Sequence, residues 1–322
     1  MDNLNQNQLN DRMTVMTNNN TPRKLSGILT GLLLIFFIML LISSCEKYID
    51  MEIPDRGRKV TANCFFTDTG SVVVLLYKSR FILDVYSQFH SVSGASVVLL
   101  ENGVPVTTLV ETEAGIYVSE GFIPSAGAAY TLKVFKDSEE ISASSYIPHT
   151  VPFVLVDTLR VMSEYSENLR FRIRINDPSE TDNFYVVTFD HNHNDDHFSY
   201  WGNSLTMTTI DPYVSFNWIV MGAIFTDDLF NGQNQIVSFD LDIYNFYRDT
   251  TNVIIRLWSI SRDMYMYLST YQAQDNASNN PFTEPVMVYN NIENGYGIFA
   301  GYSIMTDSVK IPQLTEDWEI IE

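Results

Sequence analysis

Hydrophobic and polar positions follow three different patterns along the chain. Leu25 to Ile42 is apolar and carries no charge. From Val60 to about Tyr146, short β-branched runs alternate with turn residues: "VTANCFFT", "SVVVLLY", "ASVVLLE", "GIYVSEGF", "YTLKVF" and "ISASSYI". Period two places Val60, Ala62, Cys64 and Phe66 on one face of the first run. Asn102-Gly103 stands between Val- and Leu-rich flanks. That dipeptide predicts a hairpin, because a two-residue turn needs positive φ at both central residues. Strands of this length, with turns about every ten residues, predict an Ig-like β-sandwich over residues 60–147. Pro148 and Pro152 bracket an expected linker, residues 148–152.

Residues 153–322 predict a larger β-rich domain with one packed helix. In "NLRFRIRIN", Leu169, Phe171, Ile173 and Ile175 face one way and Arg170, Arg172 and Arg174 the other. The arginines of this half-exposed strand either pair with acidic neighbours or bind an anion. "NFYVVTF", "NQIVSFDLDIY" and "NVIIRLWSI" are further strands. The period then changes. Met264, Tyr267, Leu268 and Tyr271 recur at helical spacing, so a helix is expected near residues 261–274. Ser261 is its N-cap, and Asp263 sits in the positive first turn. Its aromatic stripe is expected to pack into the core. In "NNIENGYGIFAGYS" the glycines superficially suggest a phosphate loop, but no suitable helix follows. Glycine within an aromatic strand marks a bulge or a close backbone approach.

The apolar run has a basic start, Arg23-Lys24, and ends Ile42-Ser43-Ser44-Cys45. Basic, apolar, small, then a cleavage point is the order of a secretory leader. The Cys45 thiol is the natural lipid acceptor, and the segment resembles the lipobox of bacterial lipoproteins. Residues 1–44 are therefore read as a leader with an extra polar N-terminal segment, with Met13 and Met16 as alternative starts. Residues 45–59 are the tether. The competing reading is a retained anchor, since the run is just long enough to span a bilayer. Several acyl chains would hold the protein stably without a spanning helix. The expected location is the outer membrane, with either face open.

The chain has 19 Lys and Arg against 39 Asp and Glu, a net charge of −20. Loss of the leader, with its two aspartates and three basic residues, leaves about −21. Such a surface repels phosphate, so nucleic acid is excluded as a partner. Of the two cysteines, Cys64 is left without an intrachain partner and is expected to be a small buried hydrophobe.

One polar cluster could carry chemistry. In "DHNHNDDH", an extended chain puts His191, His193 and His197 on one face, able to offer nitrogens to a divalent metal. The alternative is a solvated loop. No Gly-x-Ser-x-Gly elbow occurs. Carboxylates are too abundant to single out a hydrolytic pair. Trp201, Tyr213 and Trp218 could stack on sugars or fill the core.

"SSCEK", "SGASVVLLENG", "FTDDLFNGQ", "VIIRLWSISRDMYMYLSTYQAQ" and "NPFTEPVMVYNNIENGYGIFAGYS" together resemble the Bacteroidota lipoprotein family of domain of unknown function 4249. The N-terminal part is also similar to carboxypeptidase-regulatory-like sandwiches of TonB-dependent transport systems. The resemblance implies a surface or periplasmic lipoprotein, often encoded beside a TonB-dependent receptor. It implies no catalytic residue and no cofactor; only the role of Cys45 carries over. The expected function is a non-enzymatic accessory or ligand-binding subunit, with loops such as Asp190–Trp201 facing receptor or ligand. The alternatives are a cell-envelope hydrolase acting on glycan or peptide, and a structural surface protein. Substitution Cys45→Ala is expected to abolish fatty-acid labelling and release the protein from membranes. Retained attachment with an uncleaved leader would establish the spanning anchor instead.

Overall fold

The computed structural model describes residues 21–42, 57–81, 89–162, 166–192, 204–246, 250–278, 280 and 282–314. Two compact units divide the chain, Met1–Asp55 and Arg56–Glu322. The first contains helix α1, Thr21–Ile42. Its large apolar side chains from Leu29 to Met39 are exposed.

The second unit is mostly β. Its first part holds β1 (Val60–Thr67), β2 (Val73–Lys78), β3 (Ser96–Glu101), β4 (Val104–Glu113), β5 (Ile116–Val118), β6 (Ala129–Lys136) and β7 (Glu139–Tyr146). Then follow β8 (Phe153–Met162), β9 (Glu167–Asn176), β10 (Phe184–Asn192), β11 (Met207–Thr209), β12 (Ser215–Asn217), β13 (Gly222–Thr226), β14 (Asn234–Asp242) and β15 (Thr251–Ile260). Helix α2 (Arg262–Ser278) and the long β16 (Tyr296–Ile311) complete it. A twelve-stranded sheet runs β12-β13-β10-β15-β16-β1-β2-β5-β4-β3-β6-β7, and a four-stranded sheet runs β11-β14-β9-β8.

The predicted alternation holds where it was clearest. Val60, Ala62, Cys64 and Phe66 are all buried, as are Leu169, Phe171, Ile173 and Ile175. Asn102 and Gly103 have φ of 50° and 83°, the paired positive values of the hairpin turn joining β3 to β4. The first part is a sandwich. β4 pairs with β3 along its first half and with β5 along its second, through two register shifts. A strand that changes partner at bulges turns the corner between two packed layers. The enclosed core includes Phe66, Leu76, Leu99 and Leu132.

The second part has three layers. The four-stranded sheet covers one face of β10, β13 and β15, with Phe171, Phe189, Phe239 and Leu257 in the core between them. On the opposite face, Met264 and Leu268 of α2 join Val186, Ile224, Ile298 and Ala300. The helix starts as expected: Met264 N–H donates to Ser261 Oγ at 3.4 Å.

The expected division at residues 148–152 lies inside one compact unit. The cores largely separate there, but the sheet does not. β16 pairs in parallel with β1 from Tyr296 to Tyr302, then antiparallel with β15 from Tyr302 to Ile311. It also supplies Phe299 to the sandwich core, stacked on Phe66 at 4.4 Å. Two glycines make this passage possible. A Cβ on Gly297, whose φ is +119°, would lie 2.0 Å from the Ala62 carbonyl oxygen. One on Gly301 would lie 2.3 Å from that of Tyr146. These are backbone atoms, so no side-chain rotation relieves the clash. Gly297→Ala is expected to destabilise the protein by about 3 kcal/mol through strain and displaced backbone. Gly70→Ala, with no atom in the way, should lie within about 0.5 kcal/mol of wild type. Urea unfolding of the two variants checks this.

Candidate functional site

A cleft of about 310 Å³ opens where the two parts of the second unit meet. One wall comes from Gly127 and from Tyr146 to His149, where the chain leaves β7. The other is the loop between β9 and β10, from Pro178 to Asn183. Phe184, Ser259 and Ile260 line it from the ends of β10 and β15.

Each wall is fixed by local chemistry. Gly127 N–H donates to the Ile147 carbonyl at 2.7 Å, and Ile147 N–H to that of Ala128 at 3.1 Å. A Cβ on Gly127 would lie 2.4 Å from two ring atoms of His149, so this glycine makes room for the imidazole. The opposite loop hangs on two buried carboxylates. Asp177 accepts from Tyr185 Oη at 2.5 Å and Gly232 N–H at 2.7 Å. Asp227 accepts from Asn183 N–H at 2.9 Å and Nδ2 at 3.2 Å. Asn183 Nδ2 also donates to the carbonyls of Thr181 and Pro178. Burial pushes the Asp227 carboxyl above the ordinary aspartate range, and the Asp177 charge adds to it, against the hydrogen bonds from Asn183. Burial, with the Asp177 carboxylate beside it, likewise raises the Tyr185 phenol.

A third acid ties the wall to α2. Asp263 accepts from Ser145 Oγ at 2.6 Å and Tyr289 Oη at 2.7 Å. Burial and then this hydrogen bond push the Tyr289 phenol up to about 12. Tyr146, 37 % exposed, is also raised by burial, while the Arg262 backbone N–H acts in the opposite sense.

The cleft presents Glu180 and Asp182, both exposed, and the His149 imidazole. Its hydroxyls are engaged: Ser259 Oγ accepts from Val151 N–H at 3.2 Å, and Thr181 Oγ1 lies 3.4 Å from Asn183 Oδ1. Neither is an activated nucleophile, because neither is hydrogen-bonded to a general base among the described residues. Asp177 and Asp227 are a buried carboxylate pair, but they support the loop rather than line the cleft. The arrangement suits reversible binding of a small group.

The residues singled out in the sequence lie elsewhere. His191 is half-buried on β10 opposite Val253, while His193 and His197 lie outside the described residues. Asp190, from the same polar run, is paired with Arg256 and accepts from Ser204 Oγ at 2.9 Å. No group of three metal-ligating side chains occurs among the described residues. Cys45 and Trp201 also lie outside them. Cys64 is fully enclosed, and burial pushes its thiol up, away from the reactive thiolate. Arg170 pairs with Asp240 at 2.6 Å and Arg172 with Asp157, whereas Arg174 is exposed. On α2, Met264 and Leu268 are buried but Tyr267 and Tyr271 are half-exposed. Their rings continue a line from Phe65 to Trp218, with centroids 5.7 to 6.0 Å apart. Tyr213 packs against the second core.

Of the cleft residues, the sequence marked only Tyr146 and Pro148, at the end of the expected sandwich and the start of the expected linker. The comparisons with known proteins give a family but no activity. The model of the family described as Domain of unknown function (DUF4249) matches residues 46–308. The chain belongs to this family. No curated protein matches it. Among solved structures, the collagen adhesin (CNA) from S. aureus is 11 % identical, with 77 % of this chain and 95 % of that chain covered and a TM-score of 0.18. A score that low carries no argument about this DUF4249 protein.

The raised Asp227 makes a pH prediction. Its folded form holds the proton more tightly than the unfolded chain does. Its contribution is therefore complete below the ordinary aspartate range and is lost as pH rises through the folded value. Asp227→Asn keeps one acceptor for Asn183 and removes the titration. From about pH 4 to pH 7 the variant is expected to gain stability relative to wild type, read as the difference in urea midpoints.

Proposed function

We propose that the protein is a lipid-anchored outer-membrane subunit that binds a ligand and has no enzymatic activity of its own. It works beside a TonB-dependent receptor. The leader that ends just before Cys45, followed by a compact β unit, carries the reading. The anchor restricts the protein to the membrane plane. Binding there becomes nearly intramolecular, so a weak contact with receptor or ligand can be occupied. The cleft between the two parts is the binding surface in this scheme. Its preformed walls lower the ordering cost of binding, and its engaged hydroxyls favour binding over hydrolysis. The association with a receptor rests on the family resemblance.

A mild-detergent pull-down of tagged protein from outer membranes, read by mass spectrometry, tests the scheme. Stoichiometric recovery of a TonB-dependent receptor is the expected outcome. Recovery of the lipoprotein alone would remove the receptor from the scheme and bring forward a free-standing hydrolase or structural surface protein.

A further inference from the structure

We infer that the cleft binds an organic cation: an ammonium or guanidinium group on a short apolar stem. The inference rests on the reading of the cleft as the binding surface and names its ligand class.

The charged groups decide the sign. The lining contains two carboxylates, Glu180 and Asp182, and one imidazole, His149, but no lysine or arginine. Elsewhere the protein pairs its half-buried and buried acids. Glu167 is held by Arg160, Asp240 by Arg170, Asp157 by Arg172 and Asp190 by Arg256. Asp177, Asp227 and Asp263 are held by hydrogen bonds. Glu180 and Asp182 have no ion pair among the described residues. The nearby cation acting on Tyr146 is Arg262, which does not line the cleft. Two carboxylates with no lysine or arginine beside them in the lining, at a concave site of a protein with net charge −20, attract a cation and repel phosphates and carboxylates.

The uncharged lining decides the rest. Tyr146 and Phe184 offer aromatic rings, against which cations are attracted by the ring quadrupole. The same protein already uses that contact, with Arg80 over Phe89 at 4.2 Å and Lys59 over Tyr296 at 5.3 Å. Pro148 and Pro178, both accessible to solvent, supply apolar surface for a methylene stem. A volume of about 310 Å³ is at the lower end of small-molecule sites. It suits a single amine-bearing chain better than an extended glycan. A free amine and the lysine or arginine side chain of a peptide share this chemistry.

Titration calorimetry on the full-length protein in detergent micelles tests the inference. The probes are cadaverine, agmatine, the blocked tripeptide Ala-Lys-Ala, and n-pentanol as neutral control. The cationic probes are expected to saturate one site, and pentanol to bind about tenfold more weakly or less. The double substitution Glu180→Gln, Asp182→Asn should weaken the cations about tenfold or more, while pentanol and the melting temperature stay unchanged because both side chains are exposed. Tighter binding of the tripeptide would identify a peptide side chain as the source; tighter binding of the amines would identify free amines. Equal binding of pentanol and the amines, insensitive to the double substitution, would overturn the inference but keep the cleft as a binding surface. No binding by any probe would overturn both.

Discussion

The second unit depends on one strand passing between two cores. β16 must lie against β1 at its start and β15 at its end. At the change of partner it runs close to the Tyr146 carbonyl, where only a residue without a Cβ fits. Side-chain volume is therefore excluded at Gly297 and Gly301, while Phe299 between them fills the sandwich core. The last strand among the described residues thus completes the core of the first part. The contacts between β1 and β16 are far apart in sequence, so their closure entropy must be met by burial elsewhere. The three-layered second part, with its long ladders from β10 to β15 and from β15 to β16, provides such burial.

The cleft follows from that passage. Where β7 ends beside β16, the chain turns away through Ile147 and Pro148, and the loop after β9 comes up opposite. Buried and half-buried acids then fix the positions. Asp177 and Asp227 hold the loop through backbone N–H groups, a tyrosine hydroxyl and an asparagine. Asp263 links the end of β7 to α2 through Ser145 and to the following loop through Tyr289. Unpaired charges are costly to bury, so these carboxylates persist because donors surround them. Glu180 and Asp182 differ because solvent, rather than a protein cation, faces them. The same abundance of acid thus serves as structural support inside the wall and as an open negative surface within the cleft.

The chain by itself determined the local elements. Period two placed the buried faces of β1 and β9, because alternate side chains of a strand point to opposite layers. Asn102-Gly103 set the β3–β4 turn through the φ values it tolerates. Ser261 and the 3.6-residue spacing set the start and inner face of α2. The glycines near the end were legible as close approaches, though not what they approach. Tertiary structure decided which distant strands pair, and so the merger of two cores on one sheet. It also decided the half-exposure of Tyr267 and Tyr271, which depends on how far neighbouring loops cover the helix. The cleft was not legible in the sequence. Its residues come from four separated segments, each an ordinary turn or strand end, and only the pairing of β16 with both β1 and β15 brings them together.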